Sequence, residues 1–442
     1  MPMPPPRRRS KRIGFFLSIA YYFLRTLVRA GLLGYYRHHV ILQPERLTFD
    51  GPGIVVSNHP STLMDPFNAV AFLNRIMHFL INYGLVRGAV GNWFFNNFYC
   101  IPIKRASDLR AGESRDNSDA FDRSNEHLVE GGVLYIAVEG TSVTERRLRP
   151  TKSGAARIVL AAEAANDFQL GVRILPVGLN YSSPLRFRSD VVIDLGEPFT
   201  AVHYRERYAE NPKCAIVELT EEIDRRLRAQ LIDTSDDTVD RTLRAVETAL
   251  QTDEPTTPAG VYRRGRRWHR RLEHWKQTDA AAFADLATRS EQYLTALEQN
   301  RISDRAVAGW RPGWGEWTEL LIGFPLFLFG ALTHLLAAGV PWLVERKAGI
   351  DVTYRSTIRY LLGILVVPLF YGLNWWIFYR VTGGSVHWAW LLLAATLPGG
   401  LYAWNWNVLR REVAGALRLR NPERRQQLTR CRAALTDILS DR

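Results

Sequence analysis

SNHPSTLMDPFN, residues 57–68, follows directly on the apolar run GIVV and sets His59 six positions before Asp65. GIVVS (53–57) has the length and apolarity of a buried strand. Proline suits the first turn of a helix, so Pro66 puts Asp65 near an N-cap. His59 then lies in the strand-to-helix loop with Asp65 folded back beside it. One reading is a capping aspartate next to a structural histidine. The other is a base and its orienter: a carboxylate on one ring nitrogen fixes the tautomer, leaves the other free for a proton and stabilises the imidazolium.

Outward from this stretch, residues 47–198 alternate short β-rich runs with helical ones. The spacing predicts strands at 53–57, 77–81, 99–103, 133–138, 173–181 and 191–195, with helices over 66–75, 88–97, 116–130 and 154–166. Such alternation means an α/β domain with a largely buried sheet. Three of the runs carry further signals. YCIPIKRAS closes a strand with Lys104 and Arg105. LYIAVEGTS closes one with Glu139, Gly140, Thr141 and Ser142. ILPVGLNY is a strand with Pro176 inside it.

In order and spacing these four stretches resemble the four motifs of the glycerol-phosphate and lysophospholipid acyltransferase family. The chain departs from that pattern twice. Five residues, not four, separate His59 from Asp65, and Ser142 stands where the family's third motif carries an arginine. With the run PTKSGAA (150–156) and the apolar C-terminal segments, these departures resemble the glycerol-3-phosphate/dihydroxyacetone-phosphate acyltransferase branch. The resemblance implies an α/β acyltransferase domain with a mostly buried mixed sheet, in which His59 and Asp65 are catalytic. The substrate-binding candidates are Asn58, Lys104, Arg105, Glu139, Gly140, Thr141 and Lys152. Backbone N–H groups of the Gly140–Thr141 turn would meet the oxyanion, and Arg105 and Lys152 the acceptor's phosphate.

The implied reaction transfers a fatty acyl group from an acyl thioester to glycerol-3-phosphate or dihydroxyacetone phosphate. The alternative acceptor is lysophosphatidate, and a more remote alternative is an inactive lipid-binding membrane protein. A hydrolase would need a nucleophile elbow such as GxSxG, which is absent from the sequence. No cofactor and no metal is expected. The thioester, on coenzyme A or an acyl carrier protein, is a co-substrate.

The rest of the 442-residue chain points to a membrane. Lys and Arg outnumber Asp and Glu by 57 to 44, and there are thirteen Trp. A basic excess suits phosphate, in nucleic acid or on an anionic membrane. No nucleic-acid-binding motif is present, so lipids are the expected partners. Three scattered cysteines imply neither a disulfide framework nor a metal site. Residues 1–46 read as a basic tail and an interfacial helix, with Arg25 and Arg29 turned toward lipid phosphate. The acyltransferase domain takes 47–200 and a charged helical region 201–310. There YRRGRRWHRRLEHW (262–275) reads as a solvated or membrane-surface helix. Residues 311–410 form a membrane region, re-entrant over 320–344 and spanning at 361–379 and 386–409. Residues 411–442 are a basic tail. Basic flanks place that tail and the catalytic domain on the cytoplasmic face.

Overall fold

The structure of the protein, a computed structural model, describes residues 15–83, 99–104, 116–347, 349 and 351–440. It divides into two compact units, Met1–Asp233 with Val352–Thr357, and Thr234–Asp351 with Ile358–Arg442. In the first unit the order is α1 (Phe15–Tyr35), β1 (His38–Leu42), β2 (Gly53–Ser57), α2 (Met64–Val70), β3 (Met77–Asn82), β4 (Cys100–Ile103), α3 (Ser118–Val129), β5 (Val133–Ala137), α4 (Gly154–Ala164), β6 (Arg173–Tyr181), β7 (Asp190–Leu195), β8 (Phe199–Thr200), α5 (Arg205–Glu210) and α6 (Pro212–Arg228).

The strands form one mixed sheet in the order β1-β7-β6-β2-β5-β3-β4, with β8 also on β6. β2 runs parallel to both its neighbours, in register Ser57 with Ala137 and Val177. All five of its residues are buried, as a central parallel strand covered on both faces requires. The β6–β7 pair is antiparallel. One face of the sheet packs Ile54, Val56, Leu134 and Ile174 against Ile158 and Leu160 of α4 and Leu219, Ile223 and Leu227 of α6. This arrangement is the α/β class expected, with the six anticipated strands in place. Two were not anticipated. β1 opens with two histidines at the sheet's edge, and β8 is only two residues long. The helix expected over 88–97 lies outside the described residues.

The N-terminal arginines differ from the expectation. Helix α2 stops at Val70 instead of running to 75, which leaves carbonyls without helical partners. Arg29 Nε donates to the Ala71 carbonyl and Arg25 Nη1 to that of Leu73, at 2.5 and 2.7 Å. Both side chains therefore face protein, not lipid phosphate. The remaining face of α1 is apolar and exposed, with Phe15 and Phe16 among its residues. At 21 residues α1 is long and apolar enough to cross a membrane.

The second unit is helical: α7 (Asp237–Asp253), α8 (Pro258–Thr278), α9 (Ala280–Asn300), α10 (Asp304–Val307), α11 (Trp314–Ile322), α12 (Phe324–Lys347), α13 (Arg355–Val381), α14 (Val386–Arg418) and α15 (Pro422–Ser440), the first three residues of α13 belonging to the first unit. Asp236, Thr257 and Asp279 cap α7, α8 and α9 through N–H groups of Val239, Gly260 and Ala282. Neither expected role of 262–275 describes all of α8. Tyr262, Trp268 and Leu272 are buried, so its aromatic stripe is the inner face of a helical bundle. Arg432 of α15 joins that bundle through ion pairs with Asp253 and Asp304.

Among the described residues, the helices besides α1 that are long and apolar enough to cross a membrane are Phe324–Lys347 and Val352–Val381, the latter counted with the turn before α13. The region expected to be re-entrant, 320–344, is two helices meeting at Gly323, and α12 continues through Pro341. Helix α14 falls outside that apolar set although 386–409 carries no Asp, Glu, Lys or Arg. Its Trp, His, Gly, Pro and Asn residues dilute its hydropathy. Helices α12 and α14 meet through small residues, as helices do where no water drives them together. A Cβ on Gly330 would overlap the Gly399 carbonyl. Asn374 Nδ2 of α13 donates to the Thr333 carbonyl of α12 at 3.0 Å.

Gly330→Leu should therefore lower the melting temperature of the detergent-purified protein, an overpacking cost of about 1–3 kcal/mol. Gly339→Leu is the control, because a Cβ there has open space around it. Equal melting of the two variants would contradict this packing.

Candidate active site

The sheet delivers its chemistry at the carboxyl ends of its central strands, where open α/β sheets place their ligand sites. β2 ends in Ser57, whose buried hydroxyl lies 2.7 Å from Tyr135 Oη of β5. Asn58 continues the ladder with its side chain. Its Nδ2 donates to the Leu179 carbonyl at 3.0 Å and its Oδ1 accepts from the Leu179 N–H at 2.9 Å. Both ends of this amide, a substrate-binding candidate, are thus committed to β6.

His59 comes next, with its main chain held on both sides. Its N–H donates to Glu139 Oε1 at 2.6 Å, and its carbonyl accepts from the Val143 N–H at 3.1 Å. Glu139 Oε2 accepts from the Arg149 N–H at 3.0 Å. The Glu139 carboxylate is 4% exposed and staples two loops together; burial raises its pKa, and these N–H donors oppose the rise. Its observed contacts are backbone groups, where substrate contact was expected.

The His59 side chain meets Asp65 as the sequence suggests. Nδ1 lies 2.9 Å from Oδ2. The same oxygen accepts from the Ser61 N–H at 2.6 Å, and Oδ1 accepts from Tyr181 Oη at 2.7 Å. Asp65 is wholly buried while the His59 side chain keeps 15% exposure. Burial raises the Asp65 pKa, and hydrogen bonds from His59, Ser61 and Tyr181 hold against it. Among the described residues His59 Nε2 has no hydrogen-bond partner. A carboxylate on Nδ1 makes Nε2 the nitrogen that accepts a proton.

The loop carrying the additional residue between His59 and Asp65 turns through Thr62 at φ 44°, in the left-handed region. Ser142, the substitute for the family's arginine, accepts from the Thr62 N–H at 3.0 Å and so ties the third motif to the first. Residues 352–357, part of this unit, reach the same loop. Ser356 Oγ is 2.7 Å from Ser61 Oγ, and Thr357 Oγ1 is 2.6 Å from Thr62 Oγ1.

The remaining candidates are less closely tied to this centre. Gly140 turns at φ 71°, and its N–H donates to the Ala137 carbonyl at 3.3 Å, so it is engaged within the turn that Thr141 continues. Lys152 is exposed, its N–H on the Val138 carbonyl at 2.8 Å. Lys104 follows β4, its ammonium 5.7 Å from the Tyr83 ring centre. Arg105 lies outside the described residues. Among the described residues no group of three or more His, Cys, Asp or Glu side chains could hold a metal ion. The contacts of Tyr181, Ser142 and the Arg149 N–H were not foreseen. Tyr181 ends the strand that carries the fourth motif, but only the fold shows that it faces Asp65.

This geometry coincides with what known proteins share with the chain. Residues 39–180 match the family model "Acyltransferase". The segment is an acyltransferase-family domain. The chain is 32% identical over 122 residues to glycerol-3-phosphate O-acyltransferase 2 of Saccharomyces cerevisiae, and 31% over 124 residues to glycerol-3-phosphate O-acyltransferase 1 of that yeast. Each match covers 27% of this chain and 16% of the relative, so the chain spans about a sixth of their length. Among solved structures, the 1-acyl-sn-glycerophosphate acyltransferase of Thermotoga maritima aligns with a TM-score of 0.32 at 20% identity. That alignment covers 46% of this chain and 80% of the other. The acyltransferase domain holds His59, Asp65, Lys104, Glu139 and Lys152.

Glu139→Gln tests the staple. The amide offers one acceptor where two N–H donors need two, so the variant should lose about 1–3 kcal/mol and melt lower. The sign of its pH dependence follows from the raised pKa. Glu139's own contribution is full below its ordinary value of 4.5 and is lost as pH rises through the raised one. The melting gap between wild type and variant should therefore be narrower at pH 7.5 than at pH 4.5. A gap that widens with pH would contradict the assignment.

Proposed function

We propose that the acyltransferase domain transfers a fatty acyl group from an acyl thioester, on coenzyme A or an acyl carrier protein, to the hydroxyl of glycerol-3-phosphate or dihydroxyacetone phosphate. The observation that carries the proposal is the His59 Nδ1–Asp65 Oδ2 contact at 2.9 Å with Nε2 left open. The names of the two yeast relatives support the choice of acceptor.

In this mechanism the acceptor oxygen adds to the thioester carbonyl while Nε2 takes the hydroxyl proton. Asp65 holds the ring and stabilises the imidazolium. The tetrahedral intermediate then expels the thiolate, which recovers the proton from His59. Gly140's N–H is engaged with Ala137, so the Thr141 N–H is the proposed oxyanion donor from this turn. Lys104, Arg105 and Lys152 supply positive charge for a phosphate monoester, which carries between one and two negative charges near neutral pH. Membrane attachment through the apolar helices belongs to the same proposal, as does a cytoplasmic position, which rests on the charge rule for short basic flanks.

His59→Ala should abolish transfer in a folded protein. Asp65→Asn should lower kcat by about 10²–10⁴, since the ring loses its orienting charge. Arg105→Ala and Lys152→Ala should raise the KM for the acceptor and leave that for the donor largely unchanged. The decisive measurement is thioester consumption by purified protein with glycerol-3-phosphate, dihydroxyacetone phosphate or lysophosphatidate. Normal turnover by His59→Ala would overturn the mechanism. Turnover with lysophosphatidate alone would replace the acceptor.

A further inference from the structure

The second unit contains a pocket of about 560 Å³ where the end of α14 and the start of α15 meet the segment leading into α11. Its lining includes Arg311, Trp317, Arg420, Arg425 and Arg430, and no acidic residue. Arg311 Nη1 donates to the carbonyls of Ala306 and Trp310 at 2.8 and 2.7 Å, so its guanidinium is fixed without being neutralised. Among the described residues the side chains of Arg420, Arg425 and Arg430 have no hydrogen-bond or ion-pair partner. Elsewhere in this unit arginines pair readily with acids, as Arg241 does with Glu291 and Glu298. Four cations left without a carboxylate around one concavity form an anion site in charge and shape.

The surroundings say which anion. Helix α11 exposes Trp314, Leu321 and Ile322, at 91%, 72% and 75%. It leads through Gly323 into α12, which is apolar enough to cross a membrane. Trp406 of α14 stacks on Phe327 at 4.0 Å and donates Nε1–H to the Leu320 carbonyl at 3.3 Å. The arginines thus sit beside an exposed Trp- and Leu-bearing helix next to apolar helices, where headgroups meet hydrocarbon. We infer that this pocket binds the phosphate headgroup of an anionic membrane lipid, its acyl chains lying along the exposed apolar faces of α11 and α12. The inference does not depend on the acyltransferase reaction, which is assigned to residues of the first unit.

The test titrates the detergent-purified full chain with dioleoyl phosphatidate, dioleoyl phosphatidylcholine or inorganic phosphate and counts bound molecules by native mass spectrometry. Wild type should hold phosphatidate at least about tenfold more tightly than phosphatidylcholine. R420Q/R425Q/R430Q should lose that preference and keep its thioester turnover, and R420K/R425K/R430K should keep most of it. R425Q alone, which breaks no side-chain contact, should weaken phosphatidate about threefold and guards against misfolding of the triple variant. Equal binding of the two lipids would overturn the inference, as would a triple variant with unchanged preference. Displacement of phosphatidate by millimolar inorganic phosphate would also overturn it, since the site would then recognise free phosphate rather than a lipid.

Discussion

A carboxylate with no access to water is costly unless every oxygen finds donors, and Asp65 is such a group. Its three donors come from two parts of the chain: the His59 ring and the Ser61 N–H from one loop, and the Tyr181 hydroxyl from the end of β6. For these to converge, β6 must lie beside β2, since Tyr181 ends one strand and His59 follows the other. The loop must also bring Ser61 back over the first turn of α2. Local sequence, strand order and burial are therefore linked through one charge. The residue that most needs partners holds the histidine still.

The second buried carboxylate answers a different need. A loop at the end of a parallel sheet has backbone N–H groups that the ladder no longer satisfies. Glu139 takes one from His59 and one from Arg149. It fixes the main chain at the position whose side chain must be placed, while Asp65 fixes the ring. Replacing the family's arginine with Ser142 fits this economy of space. A short hydroxyl satisfies the N–H of Thr62 where the longer His–Asp loop turns.

How much of this was legible in the sequence depended on periodicity and on partners. GIVVS reads as a buried strand because a central parallel strand is apolar on both faces, and 173–181 was delimited to the residue. HHVIL was not legible, because an edge strand needs no such run. His59 and Asp65 stood out because they are close in sequence. Tyr181 is 116 residues from Asp65, and nothing local signals its role. Arg25 and Arg29 misled because a cation beside apolar residues looks the same whether its partner is a lipid phosphate or a carbonyl 42 residues away. Trp268 misled similarly, since a Trp–Arg stripe suits a membrane surface and a bundle interior alike.

The two halves of the site differ in how they are built, and this bears on what a motif can reveal. The supports of His59 are enclosed: Asp65, Tyr181 and Glu139 are buried. The candidate cations are placed otherwise. Lys104 follows the end of β4, and Lys152 is exposed ahead of α4. An ammonium or guanidinium keeps its charge most cheaply where water reaches it, on loops rather than among strands. Loops also accept substitution with little effect on the core. In the proposed reaction the acid–base pair is thus constrained by the fold. Under the proposed function, recognition of the acceptor lies on segments that can change without disturbing Asp65. It follows that the motifs carry the class of reaction more strongly than the identity of the alcohol.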